Sequence, residues 1–226
     1  MQIDSFFNVF SMLLENVPVT LYLALMSFLW SVILGGILTI FQESSYKPLA
    51  FLTKLYIDVI RGAPLLLLIL LVFYGGKLIL TSYQINPRVI SDEAFGIFAI
   101  SISMAAYFSE LMRSSYRAVN VSQKEAIYSA NIPFTTGFVR ILFPQALIIA
   151  LPNLSNLLIN LVKLTSLVSV IGIVDVFNRA QKISKNSYGL NQIAAFIGVI
   201  LIYWILNVLI FVVLKKIEKK YNYLLN

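Results

Sequence analysis

Long uncharged apolar stretches alternate along the chain with short segments that collect most of its Lys and Arg residues. A helix crossing a bilayer needs about 20 mostly apolar residues, because each adds about 1.5 Å against a hydrocarbon thickness of about 30 Å. Residues 17–41 carry no charge over 25 positions and predict a first span. Residues 62–76 are uncharged and continue past Lys77, which predicts a second span over 64–81. Residues 94–109 are uncharged and lead into Glu110, which gives a third span over 94–112. The stretch 141–174 is interrupted only by Lys163 and holds Pro144 and Pro152. It is too long for one straight span, so the fourth is expected to break near residue 163. Residues 189–214 give a clean fifth span of 26 residues. The pattern is that of an all-α polytopic membrane protein, with residues 1–226 forming one transmembrane domain.

Composition agrees with this pattern. Hydrophobic residues make up 59% of the 226 positions and charged ones 12%. Soluble domains average about 45–50% and about 25%. Residues 1–16 contain Asp4 and Glu15 but no Lys or Arg, unlike the basic start of a cleaved signal peptide. The chain has no Cys and no His, which excludes disulfides, Cys- or His-ligated metals and His-based nucleophilic catalysis. No metal site and no bound cofactor are expected. The net charge of +7 would suit nucleic acid, but in a membrane chain excess Lys and Arg mark cytoplasmic loops.

Those cations also orient the chain. The segments between spans one and two and between spans three and four, with the tail, hold 11 of the 17. The opposite side holds five: Lys77, Arg88, Arg179, Lys182 and Lys185. The N-terminus is therefore expected outside and the C-terminus in the cytoplasm. The cluster at 179–185 runs against that bias; it reads as a solvated loop in preference to a surface for acidic groups of an external partner.

The segment 113–140 is the longest on the cytoplasmic side. Ser122 followed by Glu125 has the spacing of a capping box, and predicts a short helix over 123–130. Asn131 then suits a left-handed stop, and Ile132-Pro133 prevents continuation. A long loop with this much ordering chemistry is more often functional than filler.

Glu125-Ala126-Ile127, Asn131 and Ile141-Leu142-Phe143-Pro144 together resemble the EAA loop of permease subunits of binding-protein-dependent ABC importers. Ile127 stands for the second Ala of that pattern, Asn131 for its Gly and Phe143 for its Leu. Arg61-Gly62-Ala63-Pro64-Leu65, Tyr107-Phe108-Ser109-Glu110 with Arg113, and Leu142-Phe143-Pro144-Gln145-Ala146-Leu147 are similar to motifs of the polar amino acid branch. So are Leu151-Pro152 with Asn156, and Lys163-Leu164-Thr165-Ser166-Leu167. The resemblance runs from about residue 17 to 220.

It implies the type I ABC importer permease fold, with five spans and the N-terminus outside, in a bacterial inner membrane. It implies ABC ATPase subunits that carry ATP-Mg, a second permease copy or paralogue, and an extracytoplasmic amino acid-binding protein. It implies a transport subunit and not an enzyme; the chain has no phosphate-binding Gly-x-x-x-x-Gly-Lys-Ser/Thr loop of its own, so ATP hydrolysis is expected to fall to a separate partner subunit. The short loop helix would be the coupling helix, with Glu125, Ala126, Ala130, Asn131, Ile132 and Pro133 facing the ATPase.

Two charges approach the membrane interior, Glu110 and Lys163. A charge at that depth costs roughly 2.5–3.5 kcal/mol on insertion scales and points to function. Ser103, Tyr107 and Glu110 share one helix face, as a pathway lining would. Lys163, Thr165 and Ser166 offer a cation and hydroxyls for a substrate carboxylate, and Glu110 an acceptor for its ammonium. Glu110 and Lys163 pairing with each other is the alternative. Leu164 stands where the family usually has Asp, which disfavours cationic substrates and favours neutral polar or sulfur amino acids such as cystine. The competing readings are a stand-alone secondary carrier and an ABC permease for a non-amino-acid solute. The first would need internal repeats, and none is evident.

Overall fold

The computed structural model describes residues 3–221, and all the regular structure among them is helical. Helices are the natural solution in hydrocarbon, because each segment satisfies its own backbone hydrogen bonds. Five helical stretches are long and apolar enough to cross a membrane. They are built from α2 (Val17–Gln42), α4 and α5 (Leu65–Leu70 and Gly76–Ser82), α6 (Asp92–Ala118), α9 (Phe143–Leu164) and α11 (Gln192–Tyr221). A π-turn at Leu71–Gly75 joins α4 to α5, and another at Phe138–Leu142 leads into α9. Past Leu164 the chain tightens into a 3-10 turn, Thr165–Ile171, ending at Gly172 with φ 90°.

α6 is the central helix, and its tightest partner is α2. Small residues bring the two together. A Cβ on Gly35 would lie 2.8 Å from Phe108 Cβ and 3.1 Å from the Ala105 carbonyl oxygen. Hydroxyls line the same seam. Ser31 Oγ donates to the Ser27 carbonyl at 2.6 Å, and Ser101 Oγ to that of Ile97 at 2.6 Å. Thr39 Oγ1 donates to Gly35 O at 2.8 Å and sits 3.2 Å from Ser109 O on α6. Such pairings satisfy these three hydroxyls inside the bundle, while the buried Ser27 hydroxyl of the same seam has no partner among the described residues. Gly76 plays a similar part at the other end of α6, where its added Cβ would meet the Phe95 ring at 2.6 Å. Trp30 and Trp204 point outward, toward where lipid would lie.

Several shorter helices were not legible as separate elements from hydropathy. α1 (Ile3–Leu14) buries Val9 and Leu13 against α11 and α10 (Val176–Asn186). α3 (Lys47–Gly62) packs on α2 and α6 through Thr53 and Ile57. The third span also runs on to Ala118 as helix α6, which shortens the loop that follows. Its polar end lies beside the end of α2, where Arg117 meets Glu43 at 2.7 Å.

A buried polar hub joins α10 to the bundle. Asp175 is fully buried; its carboxylate caps α10 by accepting from the Asn178 N–H at 2.8 Å. It also accepts from the Tyr203 hydroxyl at 3.2 Å. Thr20 Oγ1 accepts from the Val176 N–H, and Asn16 Nδ2 donates to the Val174 carbonyl at 2.8 Å. Asp175 lies between the spans, and burial pushes its carboxyl up to about 6, against the opposing pull of the Asn178 and Phe177 N–H groups. A raised carboxyl stabilises the fold in its protonated form, and that stabilisation is lost as pH rises through about 6. Asp175→Asn keeps the cap without the charge. It is expected to raise the unfolding temperature at pH 7.5, and to lose the rise that the parent chain shows when pH is lowered to 5. Thermal unfolding across that range checks it.

Candidate functional site

α7 (Val121–Ser129) is a short helix standing out from the bundle. Its N-cap is Asn120, whose side chain accepts from the Ser122 N–H at 3.0 Å. The capping box anticipated at Ser122 and Glu125 is therefore not the cap. The cap falls two residues earlier because Asn120 already serves the first turn, and Glu125 is left exposed. The helix ends at Ser129 rather than Ala130, which is the C-cap. Asn131 follows at φ 54°. Its N–H reaches the Tyr128 carbonyl at 3.0 Å, and the Ile132 N–H reaches that of Ile127 at 3.1 Å. These two bonds form a Schellman stop.

Ile127 holds α7 down. It is buried, and an added Cβ on Gly137 of α8 (Phe134–Gly137) would lie 2.6 Å from its Cγ2. Ile127, Val119, Leu142 and Ala146 form one apolar cluster at the base of α9. Lys124 fixes the other side, with Nζ donating to the Tyr116 carbonyl at 3.3 Å and lying over the Tyr116 ring. The face left outward carries Glu125, Ala126, Ala130, Asn131 and Pro133, with Ile132 half-buried beside them. It offers a carboxylate with no ion pair among the described residues, beside small residues, on a helix packed through Ile127 and Lys124 onto the bundle.

The anticipated pathway residues separate into two groups. Ser103 is buried in α6. Tyr107 is half-buried; its hydroxyl donates to the Arg61 carbonyl at 3.2 Å, and the Arg61 guanidinium lies over its ring. Glu110 is bound to Arg113, whose Nε donates to its carboxylate at 3.0 Å. Lys163 is in the second group, at the end of α9, exposed and without an ionic partner among the described residues. The alternative pairing of Glu110 with Lys163 is thus not made, because a nearer arginine one helical turn away takes the carboxylate. Thr165 is buried and its hydroxyl donates to the Val162 carbonyl at 2.7 Å. Ser166 Oγ donates to the Lys163 carbonyl at 2.7 Å.

Glu110 opens onto a cavity of about 420 Å³ between the end of α2, the polar face of α3 and α6. Lys54, Arg61, Arg113 and Arg117 supply its cations, and Glu43, Asp58 and Glu110 its acids. Hydropathy passed over this site because its residues come from three separate segments. The signal present in the sequence was the spacing of Glu110 and Arg113, which faces them on one helix side.

The family described as "binding-protein-dependent transport system inner membrane component" matches residues 31–223. The arginine transport system permease protein ArtQ of Bacillus subtilis is 31% identical over 208 residues, covering 92% of this chain and 91% of its own. The L-cystine transport system permease protein TcyB of Bacillus subtilis is 32% identical over 202 residues, covering 89% and 82%. A crystal structure of an amino acid ABC transporter with histidines superposes with a TM-score of 0.84 at 28% identity, over 97% of this chain and 99% of the other. The inward-facing MetNI methionine ABC transporter superposes at 0.70 and 15% identity, over 98% and 99%, and speaks for the fold alone.

Proposed function

The chain belongs to the binding-protein-dependent transport system inner membrane components, and on that premise we propose that it is the permease subunit of an ATP-driven importer of a neutral polar or sulfur amino acid such as cystine. Members of the family are transport subunits and not themselves enzymes. In this reading two permease domains, from this chain twice or from this chain and a paralogue, form the pathway. An extracytoplasmic binding protein delivers the amino acid. ATPase subunits, carrying ATP-Mg, dock on the outward face of α7. The N-terminus is outside and the C-terminus, with Lys215, Lys216, Lys219 and Lys220, lies in the cytoplasm.

The observation that carries the substrate class is the end of α9. The Lys163 ammonium is exposed, with Leu164 directly after it. An exposed ammonium in an apolar setting suits the α-carboxylate that every amino acid shares. Leu164 brings no carboxylate for a cationic side chain. Tyr107 and Ser103 on α6 form a separate polar stripe along the proposed pathway, and Ser166 sits beside Lys163. Thr165 supports that turn from below. Glu110 would meet a substrate ammonium only by leaving Arg113, so Lys163 is assigned the larger share of recognition.

Uptake of labelled cystine in competition with other amino acids tests this. Excess unlabelled neutral or sulfur amino acids are expected to suppress uptake, and excess arginine to leave it nearly unchanged. Strong competition by arginine overturns the substrate class. Leu164→Asp is expected to bring arginine competition in.

A further inference from the structure

The cavity beneath α3 holds two cations without an ion pair among the described residues, and one of them, Arg61, lies over the Tyr107 ring. Arg113 is held by Glu110 and Arg117 by Glu43. Lys54 and Arg61 have no ion pair among the described residues; they share the cavity with Asp58 and with Glu43 and Glu110, the two acids that Arg117 and Arg113 already engage. α3 explains why they face inward together. Thr53 and Ile57 are its buried positions, against α2 and α6. Lys54, Asp58 and Arg61 fall at i, i+4 and i+7, one polar stripe turned to the cavity. Leu52, Leu55 and Val59 form a third stripe that is exposed and apolar. Phe51 lies at the mouth, lining the cavity and yet largely exposed. A helix with one charged face and one outward apolar face lies in a membrane interface. Basic pockets between spans on the cytoplasmic side suit lipid phosphates.

We infer that this cavity seats the phosphate headgroup of an anionic phospholipid, with Lys54 and Arg61 on the phosphate and the acyl chains along Phe51, Leu52, Leu55 and Val59. A small soluble anion would use the cations alone and would gain nothing from the apolar stripe. The site rests on the orientation given above, which places the ends of α2 and α6 in the cytoplasmic leaflet.

The test uses the full chain with its partner subunits, in vesicles of phosphatidylcholine with or without phosphatidylglycerol. Phosphatidylglycerol is expected to raise the unfolding temperature and to be retained on detergent extraction, as read by mass spectrometry. Lys54→Gln and Arg61→Gln are each expected to weaken that retention roughly fivefold, as the loss of one interfacial cation should. Lys54 is exposed and makes no bond in the fold, so Lys54→Gln serves even where a variant at Arg61 fails to fold. Retention unchanged in Lys54→Gln overturns the assignment. So does an equal temperature rise from inorganic phosphate without lipid, which would make it a free-anion site. The orientation is checked apart from this. The chain has no Cys, so Lys47→Cys gives a single thiol at the start of α3. Labelling by an impermeant reagent from the outside sinks the orientation and the lipid site with it. Labelling from the cytoplasm, with no phosphatidylglycerol effect, sinks the lipid site alone.

Discussion

Glu125→Arg is expected to lower uptake about thirtyfold or more while the chain stays in the membrane at its usual level. Removing one partner of a buried interfacial charge contact costs at least about 2 kcal/mol, and reversal adds repulsion to that. The structure supplies the reasons the effect should be confined to coupling. Glu125 is exposed and makes no ion pair among the described residues, so the fold loses nothing when it is replaced. What holds α7 is elsewhere: the Asn120 cap, the stop at Asn131, and Ile127 against Gly137. The measurement is paired: uptake in cells, and ATP hydrolysis by the purified complex. Hydrolysis should persist without dependence on the binding protein while uptake falls. Uptake at the parent level would remove Glu125 from the coupling surface.

The second large effect is at Gly35. Gly35→Val is expected to cost about 3 kcal/mol, the upper end of overpacking penalties. The first methylene already meets Phe108 Cβ at 2.8 Å, the Ala105 carbonyl oxygen at 3.1 Å and the Ser109 nitrogen at 3.1 Å. None of these is the free end of a side chain, so none can step aside without moving α6. Gly36, the next residue, has only Met112 Sδ within 4.0 Å. Gly36→Val should therefore change stability by less than about 0.5 kcal/mol. Unfolding of the two variants side by side separates helix packing from helix propensity, since both carry the same substitution in the same helix. Equal losses would mean that the α2–α6 contact is not what makes Gly35 costly.

The five membrane helices were legible because hydrocarbon imposes length and apolarity on any span, and charges interrupt it. The shorter helices were not. In α3 the apolar residues are divided between a buried face and an exposed one, so its sequence reads as merely less hydrophobic than its neighbours. α1 merges with the first span in hydropathy, and only the turn at Glu15 and Asn16 separates them. The loop helix was visible but its start was not, because Asn120 and Ser122 are both good caps and local pattern does not choose between them. At the candidate site, the motif residues Glu110 and Arg113 were readable as neighbours on one turn. Their company with Lys54, Arg61 and Arg117 depends on how α3 lies against α6, which no local spacing encodes. The conflict at Arg179, Lys182 and Lys185 is partly resolved in space, since Arg179 reaches Glu15 at 3.5 Å.

The most direct measurement is uptake of labelled cystine into proteoliposomes holding this chain, its ATPase and its binding protein, with ATP supplied on the ATPase side. The account predicts accumulation that needs ATP, needs the binding protein and disappears when this chain is left out. Accumulation by the chain alone, driven by an ion gradient and indifferent to ATP, would contradict it.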